Sequence, residues 1–321
     1  MTVVDFTSAH VPAAMDLALR CYEEERRHAP ALPERAAALD LAPFAANGLG
    51  AAALQDGALV GFLCAVPPFE RAFRSTNAIG VFSPMGANGA RPENRGRIYA
   101  ALYQYAARKW VRAGAVSHGI CLYAHDEAAQ RQLYYYGFGL RCMDAVRLAE
   151  PLGCPAPEGC EYGELPPEAF PLVYPLNRRM YESFRESPFF MRRTPLGSLE
   201  EFCRDLRGEG RRCFGARCSG TLCAYLTLEP AGETFVVGGP EYPNISGAFC
   251  LPEYRGTGLY AGLLDHVLRA MGAEGCTRLG TDFESFNPAG HGFWRKYFQI
   301  YTHSVVRRID EDILSVNTPG L

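Results

Sequence analysis

The sequence lacks the features that would place the protein in a membrane or on a nucleic acid. No apolar run in its 321 residues approaches the roughly 18 residues that a membrane-spanning helix requires. The formal net charge is only −3, so no general attraction to phosphate backbones or anionic lipids is expected. The segment from Met1 to Ala14 contains Asp5 and no apolar secretory core. We therefore expect a cytoplasmic protein with neither a nucleic-acid nor a membrane partner.

Metal-binding cysteine patterns are also missing. None of the 12 cysteines belongs to a C-x2-C pair, and no neighbouring pair of histidines accompanies them. The regular series Cys213, Cys218, Cys223 contains Ser219-Gly220, which is typical of a hairpin turn, so we assign these cysteines to two strands. We expect no metal site and, in a reducing cytoplasm, cysteines that remain free thiols.

One common nucleotide-binding motif and one nucleophile motif are absent, and a third motif is present in a context that does not suit it. The sequence contains no G-x4-G-K-[ST] and no G-x-S-x-G. The pattern Gly256-x-Gly258-x-x-Ala261, followed by Asp282, does satisfy a dinucleotide fingerprint. However, only 60 residues follow Ala261, and they predict one strand, one helix and one strand. A dinucleotide-binding domain needs more βα units, so this alternative is disfavoured.

The order of predicted elements occurs twice. Hairpin turns are predicted at Asp56-Gly57 and again at Ser219-Gly220. The next strand carries Gly-Val-Phe in the first half and Gly-Ala-Phe in the second, and the long helices start with similar residues, Ile98–Leu102 and Leu259–Leu263. We predict a domain at residues 1–150, a proline-rich linker at 151–157 and a second domain at 158–321.

One stretch of the second half predicts an anion-binding loop. The apolar run Ile245 to Cys250 predicts a buried strand, Arg255-Gly-Thr-Gly258 a glycine-rich turn, and the amphipathic stretch from Leu259 a helix. Glycines allow successive amides to converge on a ligand, and the helix N-terminus adds partial positive charge. We expect a phosphate-containing ligand here.

These residues resemble the GNAT superfamily of N-acetyltransferases. Arg255-Gly-Thr-Gly258 is similar to its R-x-x-G-x-G/A acyl-CoA signature, and Asn287 to Phe298 resembles its downstream segment. The resemblance covers both halves and implies an α/β (α+β) fold of two tandem GNAT-like domains, each with a mixed, mostly antiparallel sheet flanked by helices. In the first half Asn94-Arg-Gly-Arg97 replaces the signature, so we expect the first domain to be degenerate and the second to be catalytic.

The resemblance also implies a cofactor site. It predicts acetyl-CoA or coenzyme A as co-substrate, with the pantetheine beside the strand that precedes the signature and the pyrophosphate on the loop. The positions of this sequence that match are Phe249, Cys250, Leu251, Arg255, Gly256, Thr257, Gly258, Leu259, Tyr260 and Asn287.

For catalysis we expect direct attack of an acceptor amine on the thioester. Glu284, at the carboxyl end of the strand Leu279 to Phe283, is the candidate general base, and Tyr297 is the candidate acid for the leaving thiolate. Cys250 is not expected to form an acyl-enzyme, because a buried thiol is inert. The acceptor, a small-molecule amine or a peptide, is expected near Phe189, Arg192 and Arg193.

Other functions remain open. Tyr260 and Trp294 depart from the family pattern, which favours a non-catalytic acyl-CoA-binding or regulatory protein as the alternative. A different tandem-GNAT chemistry, such as synthesis of a cysteinyl thiol cofactor or aminoacyl transfer from tRNA, is a further possibility. A monomer is favoured over a homodimer, because two fused copies supply internally the contact that single domains make by pairing.

Overall fold

The computed structural model describes residues 1–34, 39–74, 78–191, 196–208, 210–232, 234–239 and 241–315. The chain forms two compact units. The first comprises residues 1–144, 234–236 and 283–321, and the second comprises residues 145–233 and 237–282.

The elements of the two halves follow the same order apart from one additional short strand in each half. Those of the first half are β1 (Thr2–Asp5), α1 (Val11–His28), α2 (Ala42–Ala46), β2 (Ala51–Gln55), β3 (Ala58–Leu63), β4 (Gly80–Ser83), β5 (Asn88–Ala90), α3 (Arg95–Arg112), β6 (Ser117–Tyr123), α4 (Glu127–Tyr135) and β7 (Gly139–Leu148). Those of the second half are β8 (Cys160–Glu164), α5 (Phe170–Ser183), α6 (Leu199–Leu206), β9 (Arg212–Cys218), β10 (Thr221–Glu229), β11 (Asn244–Cys250), α7 (Leu259–Ala273), β12 (Arg278–Glu284), α8 (Pro288–Tyr297), β13 (Gln299–Ile300) and β14 (Thr302–Arg308).

Both predicted hairpin turns are confirmed. Asp56 and Gly57 have φ values of 52° and 79°, and Ser219 and Gly220 have values of 49° and 79°. Two successive residues with positive φ make a type I′ turn, whose twist matches that of paired strands. The hairpins β2–β3 and β9–β10 therefore form at the positions that the sequence predicts.

The first unit contains the last strand of the chain. β1, β2, β3 and β5 form an antiparallel sheet, and β4 pairs with β6 in parallel. β14 lies between β6 and β7 and is antiparallel to both. The compact units divide the chain differently from the predicted domains at 1–150 and 158–321, and those domain boundaries stay a prediction.

The second unit is a sheet with helices on both faces. β8, β9, β10 and β11 are antiparallel neighbours in that order, and β11 pairs with β12 in parallel. On one face, apolar side chains of α5 and α6 pack against Tyr225 and Phe249. On the other face α7 contacts β8, β9 and β10. Asp265 of α7 accepts a hydrogen bond from the Gly153 amide at 3.0 Å, so the predicted linker segment is anchored to this unit.

The expectation that every cysteine remains a free thiol is wrong for one pair. Cys160 and Cys218 lie opposite each other on β8 and β9 and form a disulfide. Cys160 precedes β9 by some fifty residues, so the sequence spacing did not reveal the pair. Among the described residues, no helix is long and apolar enough to cross a membrane, and no cluster of three or more His, Cys, Asp or Glu side chains could hold a metal ion.

A buried charge cluster ties α1 to the end of β6. Glu25 is 1% exposed and accepts hydrogen bonds from the His125 backbone amide at 3.1 Å and from His125 Nδ1. Glu24 approaches the other ring nitrogen at 3.5 Å, and His28 stacks on the imidazole with a centroid distance of 4.8 Å. Burial by itself would lower the pKa of His125, but the hydrogen bond and charge of Glu25, with Asp126 and Glu24, outweigh it and raise the pKa.

This cluster predicts a pH-dependent contribution to stability. Because the pKa of His125 is higher in the folded state, the contribution is complete below about pH 6.5 and is lost as pH rises through the raised folded value. We expect the melting temperature of His125→Gln to fall below that of the wild type by several degrees at pH 5.5 and by much less at pH 9. Thermal unfolding of both proteins across this range tests the prediction, and a difference that does not change with pH would contradict it.

Candidate functional site

The candidate site starts where β11 separates from β12. In the described part of the chain these strands share two paired positions, Asn244 with Gly280 and Ile245 with Thr281. Ser246 is then an extra residue in β11, because Leu228 pairs with Ile245 whereas Thr227 pairs with Gly247. A bulge of this kind bends its strand and ends regular pairing. Beyond it, β11 continues to pair with β10 and leaves its other edge open.

The register shows which peptide groups face the open edge. The Leu251 amide donates to the Cys223 carbonyl on β10 at 3.0 Å. Because hydrogen-bonding direction alternates along an antiparallel strand, the peptide groups of Phe249 also face β10, and those of Ala248 and Cys250 face away from it. Of Phe249, Cys250 and Leu251, which were predicted to line the cofactor, only Cys250 directs its backbone N–H and C=O to the open edge. The backbone N–H and C=O of Ala248 face the same edge, and the sequence did not predict Ala248 as a binding residue.

The loop after β11 presents unpaired amides. Gly256 and Gly258 adopt φ values of 77° and 89°, which side-chain-bearing residues rarely do, and Gly258 caps α7. The Thr257 hydroxyl fixes the turn by donating to the Tyr254 carbonyl at 2.8 Å and accepting from the Leu259 amide at 3.4 Å. Within the described residues, the exposed amides of Gly256, Thr257 and Gly258 have no hydrogen-bond partner. Three such donors before a helix N-terminus suit a phosphate group.

Arg255 adds a positive charge to this loop. Its Nε donates to the Cys250 carbonyl at 3.1 Å, and its guanidinium lies 5.6 Å from the centroid of the Phe249 ring. The side chain is exposed and has no carboxylate partner among the residues that the structure describes. The charge is thus held next to the loop amides and remains available to an anion.

Tyr260 does not obstruct the loop. Its hydroxyl donates to the Tyr225 carbonyl of β10 at 3.1 Å, so the side chain lies on the sheet-facing side of α7. Burial raises the pKa of this phenol well above its usual range, so it remains a protonated donor. The space between α7 and β10 therefore accommodates a tyrosine at this signature position, where the family has Gly or Ala.

The predicted catalytic residues belong to the first unit. Glu284 is bound by Arg141, with 2.7 Å from Nε to one carboxylate oxygen and 3.4 Å from Nη2 to the other. Arg141 in turn donates to the Phe73 carbonyl at 3.1 Å. Tyr297 packs against Phe293 with ring centroids 4.9 Å apart. The structure thus gives Glu284 a fixed position and gives Tyr297 an aromatic neighbour.

Asn287 and Phe189 have local packing roles. The Asn287 side chain caps α8 by accepting from the Gly290 amide at 3.0 Å. The Phe189 ring contacts that of Phe184, at 4.7 Å between centroids. Arg192 and Arg193 lie outside the described residues.

The first half contains the same arginine contact in a different setting. Arg95 Nε donates to the Ala90 carbonyl at 3.0 Å, five residues back, as Arg255 Nε does to Cys250. Arg95, rather than Asn94, is therefore the counterpart of Arg255, and the sequence alignment was one residue out of register. Arg95 is also the first residue of α3, so the loop has become part of a helix. It is buried and paired with Glu24 at 2.6 Å, which leaves no charge for a ligand.

In the first half, a network of side-chain hydrogen bonds connects β5 with the end of β4 and with β6. Asn88 of β5 donates to the Ser83 hydroxyl and to the Cys121 carbonyl of β6, both at 3.0 Å. Its Oδ1 accepts from the Tyr99 hydroxyl at 2.8 Å. These buried contacts use the polar groups that would otherwise face a ligand between the strands. No periodicity or motif distinguishes such an asparagine in a sequence, so it was not predicted.

Comparisons with known proteins agree with the second-half signature. Residues 177–298 match the acetyltransferase (GNAT) family model. A GCN5-related N-acetyltransferase from Sphaerobacter thermophilus is 15% identical, with 95% of each chain covered and a TM-score of 0.54. A tandem GNAT protein from the clavulanic acid biosynthesis pathway is 17% identical, with 96% of this chain and 98% of that chain covered and a TM-score of 0.47. No curated protein matches the sequence.

The predicted family resemblance and fold class are confirmed. The family match covers the segment from α5 to α8, including the loop at Arg255. The Sphaerobacter structure shares the fold over nearly the whole chain, and at 15% identity this likeness concerns the fold alone.

Cys250 is expected to be unreactive. It is 9% exposed, and burial raises the pKa of its thiol to about 11, so almost no thiolate forms at neutral pH. Treatment of the native protein with iodoacetamide at pH 8 should label the less buried Cys154 well before Cys250, and Cys250 should react only after unfolding in urea. Peptide mass spectrometry measures both. Rapid labelling of Cys250 in the native protein would instead support a covalent mechanism.

Proposed function

We propose, on the premise that residues 177–298 carry a GNAT acetyltransferase domain, that this protein is an acyl-CoA-dependent N-acyltransferase. Acetyl-CoA would be the acyl donor, and the amine of a small molecule or peptide would be the acceptor. The observation that carries the proposal is the loop Arg255–Gly258. Among the residues that the structure describes, this loop has three amides without a hydrogen-bond partner and a guanidinium without an ion-pair partner, and it follows a strand with an open edge.

The residues present fit coenzyme A. The amides of Gly256, Thr257 and Gly258, with Arg255, would hold the pyrophosphate, because backbone donors at a helix N-terminus stabilise an anion. The peptide groups of Ala248 and Cys250 would bind the pantetheine amides, as a further strand would. In the first half, Arg95 and Asn88 are already committed to protein partners, which supports a single donor site per chain.

The reaction requires proton transfer at two points. An alkyl amine has a pKa of about 10.4 and arrives protonated, so a base must remove a proton before its nitrogen attacks. A bond then forms between nitrogen and the thioester carbon, the carbon–sulfur bond breaks, and nitrogen releases its second proton to form the amide as the thiolate takes up a proton. We assign the first role to Glu284, whose carboxylate Arg141 holds in place. We assign the second role to Tyr297.

Acceptor binding is proposed for the connector between α5 and α6. Phe189 lies there and would contact an apolar part of the acceptor, and Arg192 and Arg193 would bind an acidic part.

A non-catalytic acyl-CoA-binding protein is the second candidate. Trp294 stands where related enzymes have a tyrosine, and an indole N–H is too weak an acid to donate a proton to a thiolate. Its ring is 5% exposed and packs edge-on against Phe293 and Phe298. The two functions separate in one assay, since a binding protein would show acetyl-CoA affinity without transfer to any member of an amine panel.

Loop geometry predicts a defined loss of affinity. Gly258→Ala places a side chain at φ 89°, which should displace the loop amides and raise the Kd for acetyl-CoA at least tenfold. Gly275→Ala is the matched control, because Gly275 follows the same helix with φ 88° and open space around it. Titration calorimetry compares the two. If both variants bound acetyl-CoA as the wild type does, the loop would not be the pyrophosphate site.

Saturating acetyl-CoA should also stabilise the wild type. At 100 times Kd a ligand adds about 2.7 kcal/mol, enough to raise the melting temperature by several degrees, whereas NAD at the same concentration should have no effect.

The role of Glu284 predicts a loss in turnover with binding retained. Glu284→Gln removes the proton acceptor but keeps a side chain of the same size, so kcat should fall by roughly 100-fold or more while acetyl-CoA affinity stays within about twofold. Glu241→Gln, at an exposed acid of the second unit, is the control and should leave both unchanged. Steady-state kinetics with an amine acceptor, beside calorimetry, decides the outcome. An unchanged kcat for Glu284→Gln would assign the base elsewhere.

A further inference from the structure

Tyr162 of β8 reaches the first turn of α7, at the start of the proposed coenzyme A site. Its hydroxyl donates to the Leu259 carbonyl at 3.1 Å. The phenol fits into a notch that exists because residue 262 is glycine: a Cβ added there would lie 2.7 Å from Tyr162 Cζ, closer than packed atoms approach. The ring also neighbours His266 on the next turn, with 6.2 Å between centroids. Tyr162 therefore fixes the helix turn that immediately follows Gly258.

The strand that carries Tyr162 is held from one side only. In the described part of the second unit β8 pairs with β9 alone. At one end Glu164 pairs with Arg212 at 2.6 Å, and at the other end Cys160 is joined to Cys218 by the disulfide. Tyr162 lies two residues from the disulfide, so the covalent bond restrains the position of the phenol. An edge strand without that bond frays more readily, because half of its backbone groups lack a ladder partner.

We propose that Tyr162 is a positioning residue for the coenzyme A loop, and that the Cys160–Cys218 disulfide makes acetyl-CoA affinity depend on the redox state of the protein. The proposal rests on the proposed function, because it concerns the same loop. With the disulfide intact, β8 stays on β9, and Tyr162 holds Leu259 and Gly262 so that the loop amides converge. After reduction β8 loosens, the phenol leaves the notch, and the first turn of α7 loses its support.

The reduction would be carried out by a dithiol. One thiolate of the reductant attacks Cys160 Sγ, the sulfur–sulfur bond breaks, and Cys218 leaves as a thiolate that takes up a proton. The second thiol of the reductant then displaces Cys160 and becomes joined to the first in a new disulfide. Two electrons and two protons pass to the protein. Cys160 is only partly buried, which gives the reductant access to it.

Two perturbations of the same contact test the positioning role. Tyr162→Phe removes the hydroxyl and keeps the ring, and the loss of about one hydrogen bond should raise the Kd for acetyl-CoA about fivefold. Gly262→Ala should raise the Kd for acetyl-CoA at least as much, because the new methyl group on α7 would occupy the space of the Tyr162 ring. Gly163→Ala is the matched control on the same strand, because a Cβ at Gly163 meets nothing within 4 Å. Apo-protein melting temperatures, expected to change by no more than about two degrees for Tyr162→Phe, separate positioning from general destabilisation.

Redox dependence is tested by calorimetry with and without a water-soluble phosphine as reductant. Acetyl-CoA is the probe, because it carries no free thiol that could itself open the disulfide. Reduction should weaken binding by the wild type about fivefold and leave Cys160→Ser/Cys218→Ser, already weakened, unaffected. In Tyr162→Phe, reduction should cause little further loss, because both changes remove the same support.

Each outcome has a separate meaning. If Tyr162→Phe binds acetyl-CoA as tightly as the wild type, Tyr162 is not a positioning residue. If reduction weakens Tyr162→Phe as much as the wild type, the disulfide does not act through Tyr162, and if it weakens neither, there is no redox control. If the oxidised wild type does not bind acetyl-CoA at all, the proposed function itself fails.

Discussion

The brief pairing between β11 and β12 is the constraint on which the candidate site depends. The strands share two paired positions, and the extra residue Ser246 then turns β11 away. Had the ladder continued, the peptide groups of Ala248 and Cys250 would be used within the sheet. Because pairing stops, these groups face an open edge, and the chain leaves β11 through a turn that delivers Arg255 and the glycine loop to the same end of the strand.

The same backbone contact of an arginine occurs in both halves, but the arginine is exposed in one half and buried in the other. In both, an arginine donates through Nε to a carbonyl five residues earlier, which fixes the turn after the strand. Around Arg255 the loop has glycines at positive φ and exposed amides, and within the described residues no carboxylate forms an ion pair with the guanidinium. Around Arg95 the helix begins at once, Glu24 neutralises the charge, and burial excludes water. The Arg95 side chain is thus used inside the protein, whereas that of Arg255 is exposed.

The sequence predicted the parts of this arrangement that depend on local chemistry. Asp56-Gly57 and Ser219-Gly220 specify hairpin turns through their φ preferences, and Arg255-Gly-Thr-Gly258 specifies a strand–turn–helix. Features set by tertiary pairing were not predictable in this way. The Cys160–Cys218 bond depends on strand register, and the insertion of β14 between β6 and β7 depends on which strands find each other across the chain. Neither the disulfide nor the position of β14 produces a periodic pattern in the sequence.

The position of β14 gives the first half a structural role, although its counterpart of the Arg255 loop is part of a helix. The segment from Phe283 onward carries the candidate catalytic residues and ends in a strand that only β6 and β7 complete. Arg141, the residue that binds Glu284, lies on β7 of the first half. The catalytic candidates are therefore held by elements encoded more than 140 residues earlier, as the separation between Arg141 and Glu284 shows. The first half therefore determines where Glu284 lies, because Arg141 on β7 binds its carboxylate.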